Sequence, residues 1–144
     1  MRVELRDRQF NPWVELGRYQ DLLRDKGRYG ATAVFVGTMR DFNEGVHVIS
    51  MFLEHYPGMT EKHLTEISEQ AISRWDLLDT LVIHRVGEIQ INEPIVLVAV
   101  WSAHRAPAFE ACRFIVEDLK SRAPFWKREF LDEGIRWVEE NTRR

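Results

Sequence analysis

Two groups of basic residues fall where local structure would concentrate positive charge. His104 and Arg105 lie between a Val-rich run and Pro107, where a strand gives way to a helix. The unpaired N–H groups and positive dipole end of a helix start favour anions, so these two donors read as a phosphate or carboxylate site. The same pair also reads as an exposed arginine beside a capping or packing histidine. The second group comes from lysine usage: the chain has sixteen Arg but only four Lys, at positions 26, 62, 120 and 127. Lys120 and Lys127 fall in one short stretch, with Arg122 and Arg128 beside them. A helix of about fifteen residues, roughly 22 Å long, separates Lys120 from His104 and Arg105. Chain return at a later hairpin or a second protomer must close that gap. Neighbouring positive charges oppose protonation of a lysine there and a helix C-terminus favours it, so the sign of any shift stays open. The plainer reading makes Lys120 a dipole partner at its helix end and Lys127 and Arg128 an exposed strand face. Arg40, after Val36-Gly-Thr-Met, is a further candidate: Gly37 permits a tight backbone, and the polar loop that follows suits a binding edge.

Other chemistries find no support. GxGxxG, P-loop, HExxH, CxxC and GxSxG patterns are all absent. Histidines 47, 55, 63, 84 and 104 have no metal-ligand spacing with a carboxylate, so no metal is expected. Cys112, the single cysteine, falls on an apolar helical stripe and reads as a buried structural thiol rather than a reactive one.

The elements that must position these residues follow from pattern. Arg2 to Asp7 alternates like a short strand; Asn11-Pro12 opens a helix with apolar positions Val14, Leu16, Tyr19, Leu22 and Leu23, expected to stop at Gly27. Gly30 to Gly37 is β-prone and the segment to Gly45 is polar and turn-rich; a second strand covers Val48 to Tyr56, ending at Pro57-Gly58. Thr60 is the expected N-cap of a helix whose stripe is Leu64, Ile67, Ala71, Ile72 and Trp75. Thr80 to Val86 and Ile95 to Trp101 read as adjacent buried strands. A helix from Pro107 carries Ala108, Cys112, Ile115, Val116 and Leu119 on one face, with Pro124 beyond its end. The tail alternates on both sides of a three-residue Asp-Glu-Gly134 connection, which predicts a C-terminal hairpin. Strands and helices intermingle without strict alternation, so the class is α+β.

Composition sets the frame. With 144 residues, 44% hydrophobic and 30% charged, and no linker or repeat, the chain reads as a single domain over 1–144. A formal charge of −3 gives no global pull toward nucleic acid or an anionic bilayer, so anions must be bound locally. Neither a signal-peptide core nor a transmembrane run is present, and the lone cysteine suits a reducing compartment, so a cytoplasmic location is expected. Five Trp, eight Phe and three Tyr are many for this size, so part of the aromatic surface is expected to be covered by a partner chain.

Five blocks then carry a specific resemblance: Phe35-Val-Gly-Thr-Met-Arg-Asp-Phe-Asn43, Leu53-Glu-His-Tyr-Pro-Gly-Met-Thr-Glu-Lys62, Ile83-His-Arg-Val-Gly-Glu88, Ser102-Ala-His-Arg105 and Leu119-Lys-Ser-Arg-Ala-Pro-Phe-Trp-Lys-Arg-Glu129. In order, over about residues 30 to 139, they resemble the large, catalytic subunit of molybdopterin synthase, the MoaE family. The resemblance implies an α/β hammerhead-like core with an additional β subdomain. It also implies an enzyme that transfers sulfur to cyclic pyranopterin monophosphate, creating the dithiolene of molybdopterin. No cofactor is implied, because sulfur arrives as a thiocarboxylate on the C-terminal Gly-Gly of a small ubiquitin-like partner. The implied assembly is a homodimer of large subunits with one small subunit at each end, a heterotetramer in which a neighbouring protomer contributes to each pocket. Matched to the family's motif, Lys120 and Lys127 stand at the reaction centre. Thr38, Met39, Arg40, His104, Arg105, Arg128 and Glu129 are implied as substrate contacts.

The tail departs from the pattern: where a basic residue is expected after Trp-Val-Glu, this chain has Glu140-Asn141, with Arg143 and Arg144 following. A cross-protomer basic contact is therefore missing or moved to Arg143. The competing class is a non-catalytic α+β dimer that binds a small anionic metabolite or a partner's C-terminal tail through the same basic cluster.

Overall fold

The computed structural model describes residues 1–24, 26–43, 45–131 and 134–138. In chain order its elements are β1 (Arg2–Arg6), α1 (Pro12–Asp21), β2 (Ala31–Thr38), β3 (Phe42–Asn43), β4 (Val46–His55), α2 (Met59–Trp75), β5 (Asp79–Arg85), β6 (Gly87–Gln90), β7 (Pro94–Ser102), α3 (Arg105–Ser121), β8 (Phe125–Leu131) and β9 (Gly134–Val138). The architecture is α+β, built on two sheets. The first has the order β1-β5-β7-β2, with β1 parallel to β5 and the other pairs antiparallel.

The two apolar runs of the sequence become the central strands of this sheet, buried on both faces. Strand parity divides them. Val96, Val98, Val100 and Val82 face a core built with Leu64 and Ala71 of α2 and Ala108, Ala111 and Ile115 of α3. Leu97, Ala99, Trp101, Leu81 and Ile83 face the opposite side, where Phe10, Tyr19 and Leu23 cover them. Each central strand therefore reads as continuously hydrophobic rather than alternating.

Several boundaries differ from the sequence expectations. Asn11 caps α1 as its type suggests, its Oδ1 accepting from Trp13 N–H (3.0 Å) and Val14 N–H (3.2 Å). The helix ends at Asp21 rather than Gly27. Leu22 N–H turns back to the Tyr19 carbonyl at 3.0 Å, tightening the last turn, and Leu23 is thereby tucked under the sheet while Leu22 and Val14 stay exposed. Thr60 is not an N-cap. Gly58, at φ +83°, takes that position, and Glu61 Oε1 accepts from its N–H at 3.1 Å. The helix α3 begins at Arg105, not Pro107, with His104 as its cap residue.

The second sheet runs β3-β4-β8-β9, with β6 also paired to β4. The strand β6 lies inside a stretch read as a connection. It is four residues long, and Ile89 is its one buried anchor, too little for periodicity to register. The C-terminal hairpin is present, but Leu131 pairs with Gly134, so that glycine belongs to the strand rather than to a three-residue turn. Glu140, Asn141, Arg143 and Arg144 lie outside the described residues.

Two polar contacts fasten α2 to the end of α3. His63 Nε2 lies 2.7 Å from Asp118 Oδ1, a carboxylate buried in α3. Thr60 is fully buried within the first turn of α2; its Oγ1 accepts from Tyr56 N–H and donates to the Pro124 carbonyl, both at 3.0 Å. Removing that hydroxyl strands a donor and an acceptor in the interior, which costs more than the hydrogen bonds themselves are worth. Thr60→Val should therefore lower unfolding stability by about 2 kcal/mol, measured by urea denaturation, whereas Thr60→Ser should recover most of it.

Candidate active site

A cleft of about 1270 Å³ opens between the two sheets, and six of the expected site residues line it: Thr38, Met39, Arg40, Lys120, Lys127 and Glu129. Three local devices deliver them. At the end of β2 the register against β7 shifts between Gly37 and Thr38, a bulge that re-aims the chain. A Cβ at Gly37 would stand 2.9 Å from Val96 Cγ1, so any larger residue would have to displace that side chain. Met39 is then buried, its N–H donating to the Glu93 carbonyl (3.0 Å) and its carbonyl accepting from Asn92 N–H (2.9 Å), which leaves Arg40 exposed at the cleft edge.

Lys120 occupies the last turn of α3, whose end is closed by Arg122 N–H (2.8 Å) and Ala123 N–H (3.0 Å) donating to the Asp118 carbonyl. The chain turns at Pro124 and returns as β8. Parity along β8 places Lys127 and Glu129 on the cleft face, opposite Leu53 and Met51 of β4, which also line the cleft. Glu129 is buried, and its Oε1 accepts from Arg136 Nε on β9 at 3.2 Å. The turn at Pro124 thus brings the two lysines into one cleft, while the gap from Lys120 to His104 and Arg105 is not closed within the chain.

Three expected contacts lie elsewhere. Arg128 sits on the opposite face of β8 from Lys127, as a period of two demands. Its guanidinium carbon is 5.1 Å from the Phe52 ring centre, 5.5 Å from that of Trp137 and 5.6 Å from that of Phe130, with Glu54 3.9 Å away. His104 and Arg105 are exposed at the far end of α3, roughly 22 Å along the axis from Lys120. Within one chain they do not reach the cleft.

The electrostatic question left open by the sequence has one sign. Burial lowers the pKa of Lys127 to about 8; Lys120 and Arg40 push the same way, against the carboxylate of Glu129. Lys120 is lowered too, by burial first and then by Arg40, with Glu117 opposing. Desolvation and like charge outweigh the helix end. Cys112 lines the same cleft, and burial raises its thiol to about 11, so it is protonated at neutral pH.

One lining residue was not singled out from sequence. His84, on β5, is buried on the same face as Val82, paired across the ladder with Val96. Its ring stacks on Phe125 at 4.1 Å between centres and 19° between planes. Burial, then Lys127 and Lys120, lower it to about 4, and its Nδ1 lies 2.7 Å from the Arg85 carbonyl. The available signal was its even position in an apolar strand, which marks it as inward-facing. Among the described residues no group of three or more His, Cys, Asp or Glu is placed to hold a metal ion, and no helix is long and apolar enough to cross a membrane.

Comparison with known proteins adds an independent line. A family model described as MoaE protein matches residues 11–122. The molybdopterin synthase catalytic subunit of Pseudomonas aeruginosa is 49% identical over 139 residues, covering 96% of this chain and 91% of its own length. That of Ralstonia nicotianae is 59% identical over 110 residues, covering 76% of this chain but 62% of its own. Among solved structures, the molybdopterin biosynthesis MoaE protein of Burkholderia ambifaria superposes with a TM-score of 0.78 at 40% identity, over 99% of this chain and 91% of that one. The X-ray structure of molybdopterin synthase from Staphylococcus aureus gives 0.84 at 30% identity, over 95% and 96%.

The lowered lysines bear on stability. Between about pH 8, where Lys127 titrates in the folded chain, and its ordinary value of 10.5, the unfolded state binds more protons than the folded one. Stability therefore rises with pH through that window, and the cost of the buried charge is present in full below it. Lys127→Met should raise the thermal midpoint at pH 7 by about 3–6 °C, with the difference from wild type vanishing above the window in a pH series of melting curves.

Proposed function

This chain belongs to the MoaE protein family, and from that premise we propose that it transfers sulfur from the C-terminal thiocarboxylate of a small ubiquitin-like carrier to cyclic pyranopterin monophosphate. The product is the dithiolene of molybdopterin. The observation that carries the reading is the meeting of Lys120, Lys127 and Arg40 in one cleft between the sheets. The thiocarboxylate and the substrate phosphate are both anions, and a locally basic cleft on a chain of net charge −3 fits them.

Lys127, with a pKa of about 8, is roughly nine-tenths protonated at pH 7. It stabilises the negative charge that develops on the departing carboxylate or phosphate. Lys120 is the principal acid/base group, or the amine that briefly holds the carrier's acyl carbon before water releases it as a carboxylate. In either case a carbon–sulfur bond forms on the pterin side chain as a carbon–oxygen bond there breaks, and the acyl–sulfur bond then breaks with the acyl carbon released by water as a carboxylate. Thr38 and Met39 offer backbone contacts along the cleft edge, Arg40 pairs with an anionic group, and Glu129 holds Lys127 in place. His104, Arg105 and Arg128 would act on substrate only across the boundary between two large subunits, in a heterotetramer with a carrier at each end. No metal or cofactor enters this scheme, and the site of action is the cytoplasm.

The test mixes the purified chain with thiocarboxylated carrier and cyclic pyranopterin monophosphate and follows molybdopterin formation. Wild type should turn over, while Lys120→Ala should lose at least a hundredfold in rate yet still bind the carrier. Carrier binding without product from a folded wild type would overturn the enzyme reading in favour of a binding module.

A further inference from the structure

His84 falls in one of the blocks that carry the family resemblance but has no role among the expected site residues, yet it is the ring on which the Lys127 strand rests. Three observations define its setting. It is buried on β5 of the first sheet, whereas its stacking partner Phe125 begins β8 of the second. Phe125 and Lys127 are two residues apart in one strand, so they share a face, and both line the cleft with His84. Phe125 packs against the core beneath each sheet, so it is a joint between them.

The imidazole is also held in one orientation. A carbonyl only accepts, so the 2.7 Å contact to the Arg85 carbonyl requires Nδ1 to carry the proton. Because burial lowers its pKa to about 4, the ring is uncharged at neutral pH, and Nε2 is then the unprotonated nitrogen. The charged groups that line the cleft with it are Arg113, Glu117 and Lys120 from α3, Lys127 and Glu129 from β8, and Arg40 from the loop after β2. A leucine would fill the volume without a fixed plane for Phe125, and a second ammonium would add to the repulsion.

We propose that His84 is a positioning residue for the sulfur-transfer reaction: its locked ring, stacked on Phe125, forms a dry floor that holds Lys127 at a set height in the cleft and keeps water from beneath its amine. This rests on the assignment of Lys127 to the reaction centre, but its physical content can be read without turnover. With only four lysines in the chain, the Lys127 amine can be followed directly after reductive ¹³C-methylation, the resonance being assigned with Lys127→Arg.

Wild type should titrate near pH 8. Folded His84→Ala, which opens a space that water can enter, should move the Lys127 titration upward by at least one pH unit. It should also lower kcat about tenfold with KM changed less than twofold. His84→Phe, which keeps a ring on Phe125, should hold the titration within about half a unit of wild type and restore most of kcat. A merely structural role would lower the melting temperature of His84→Ala and leave the Lys127 titration where it was; that result overturns the proposal. So does a His84→Phe variant that shifts as far as His84→Ala. If the titration moves as expected while kcat does not, the floor is real and the assignment of Lys127 to the chemistry fails instead.

Discussion

Two partly buried amines that oppose one another's charge are held in a single cleft. Nothing in α3 or β8 alone would keep them there, because like charges relax apart whenever the elements that carry them can move. The remaining contacts at this end of the molecule restrain that movement. His63 grips Asp118 one turn before the end of α3, and Thr60 ties α2 to the Pro124 carbonyl at the turn between the lysines. Phe125 stacks on His84, and Glu129 is steadied by Arg136 from the neighbouring strand. The four restraints come from three different elements, α2, β5 and β9, so the geometry is over-determined, the condition under which an unfavourable electrostatic arrangement persists.

A second polar knot sits where the two sheets meet. Arg85, the last residue of β5, and Glu93, just before β7, form an ion pair in which both side chains are buried. Arg85 Nη2 also donates to the Glu88 carbonyl at 2.7 Å, and Glu93 Oε2 accepts from Gln90 N–H at 2.9 Å. A buried pair of this kind contributes little net stability, since desolvation offsets most of the attraction, but breaking one partner is costly. Its effect here is on placement. The Glu93 carbonyl holds Met39 N–H, so the pair is coupled to the loop that presents Arg40.

Surface composition completes the picture. Trp13, Tyr56, Phe109, Trp126 and Trp137 remain exposed on the single chain. Trp137 is one of three aromatic side chains around Arg128 on the sheet face that points away from the lysine cleft. Three aromatic rings with a cation set among them have the composition of a protein–protein contact. Part of the aromatic surplus noted in the composition is thus left on the surface, where an assembly would cover it.

How much of this was legible in the chain itself varies with the physical origin of each feature. Short-range regularities were readable: the Asn11-Pro12 helix start, the valine-rich strands, the α3 stripe through Cys112 and Ile115, and the hairpin all follow from periodicity and local backbone preference. The pairing of Lys120 with Lys127 was visible as composition, because lysine is scarce in an arginine-rich chain, and as motif. Local pattern erred where a residue serves a distant partner. Thr60 looks like a cap but bridges to Pro124, 64 residues away, and β6 has too few residues to announce itself without β4. Strand parity already implied that Arg128 and Lys127 face opposite ways, yet proximity in sequence grouped them. The sign of the lysine shifts, the joint at Phe125 and the role open to His84 came only with the fold. Desolvation and stacking depend on which elements lie across the cleft, and long-range packing carries no local period in the sequence.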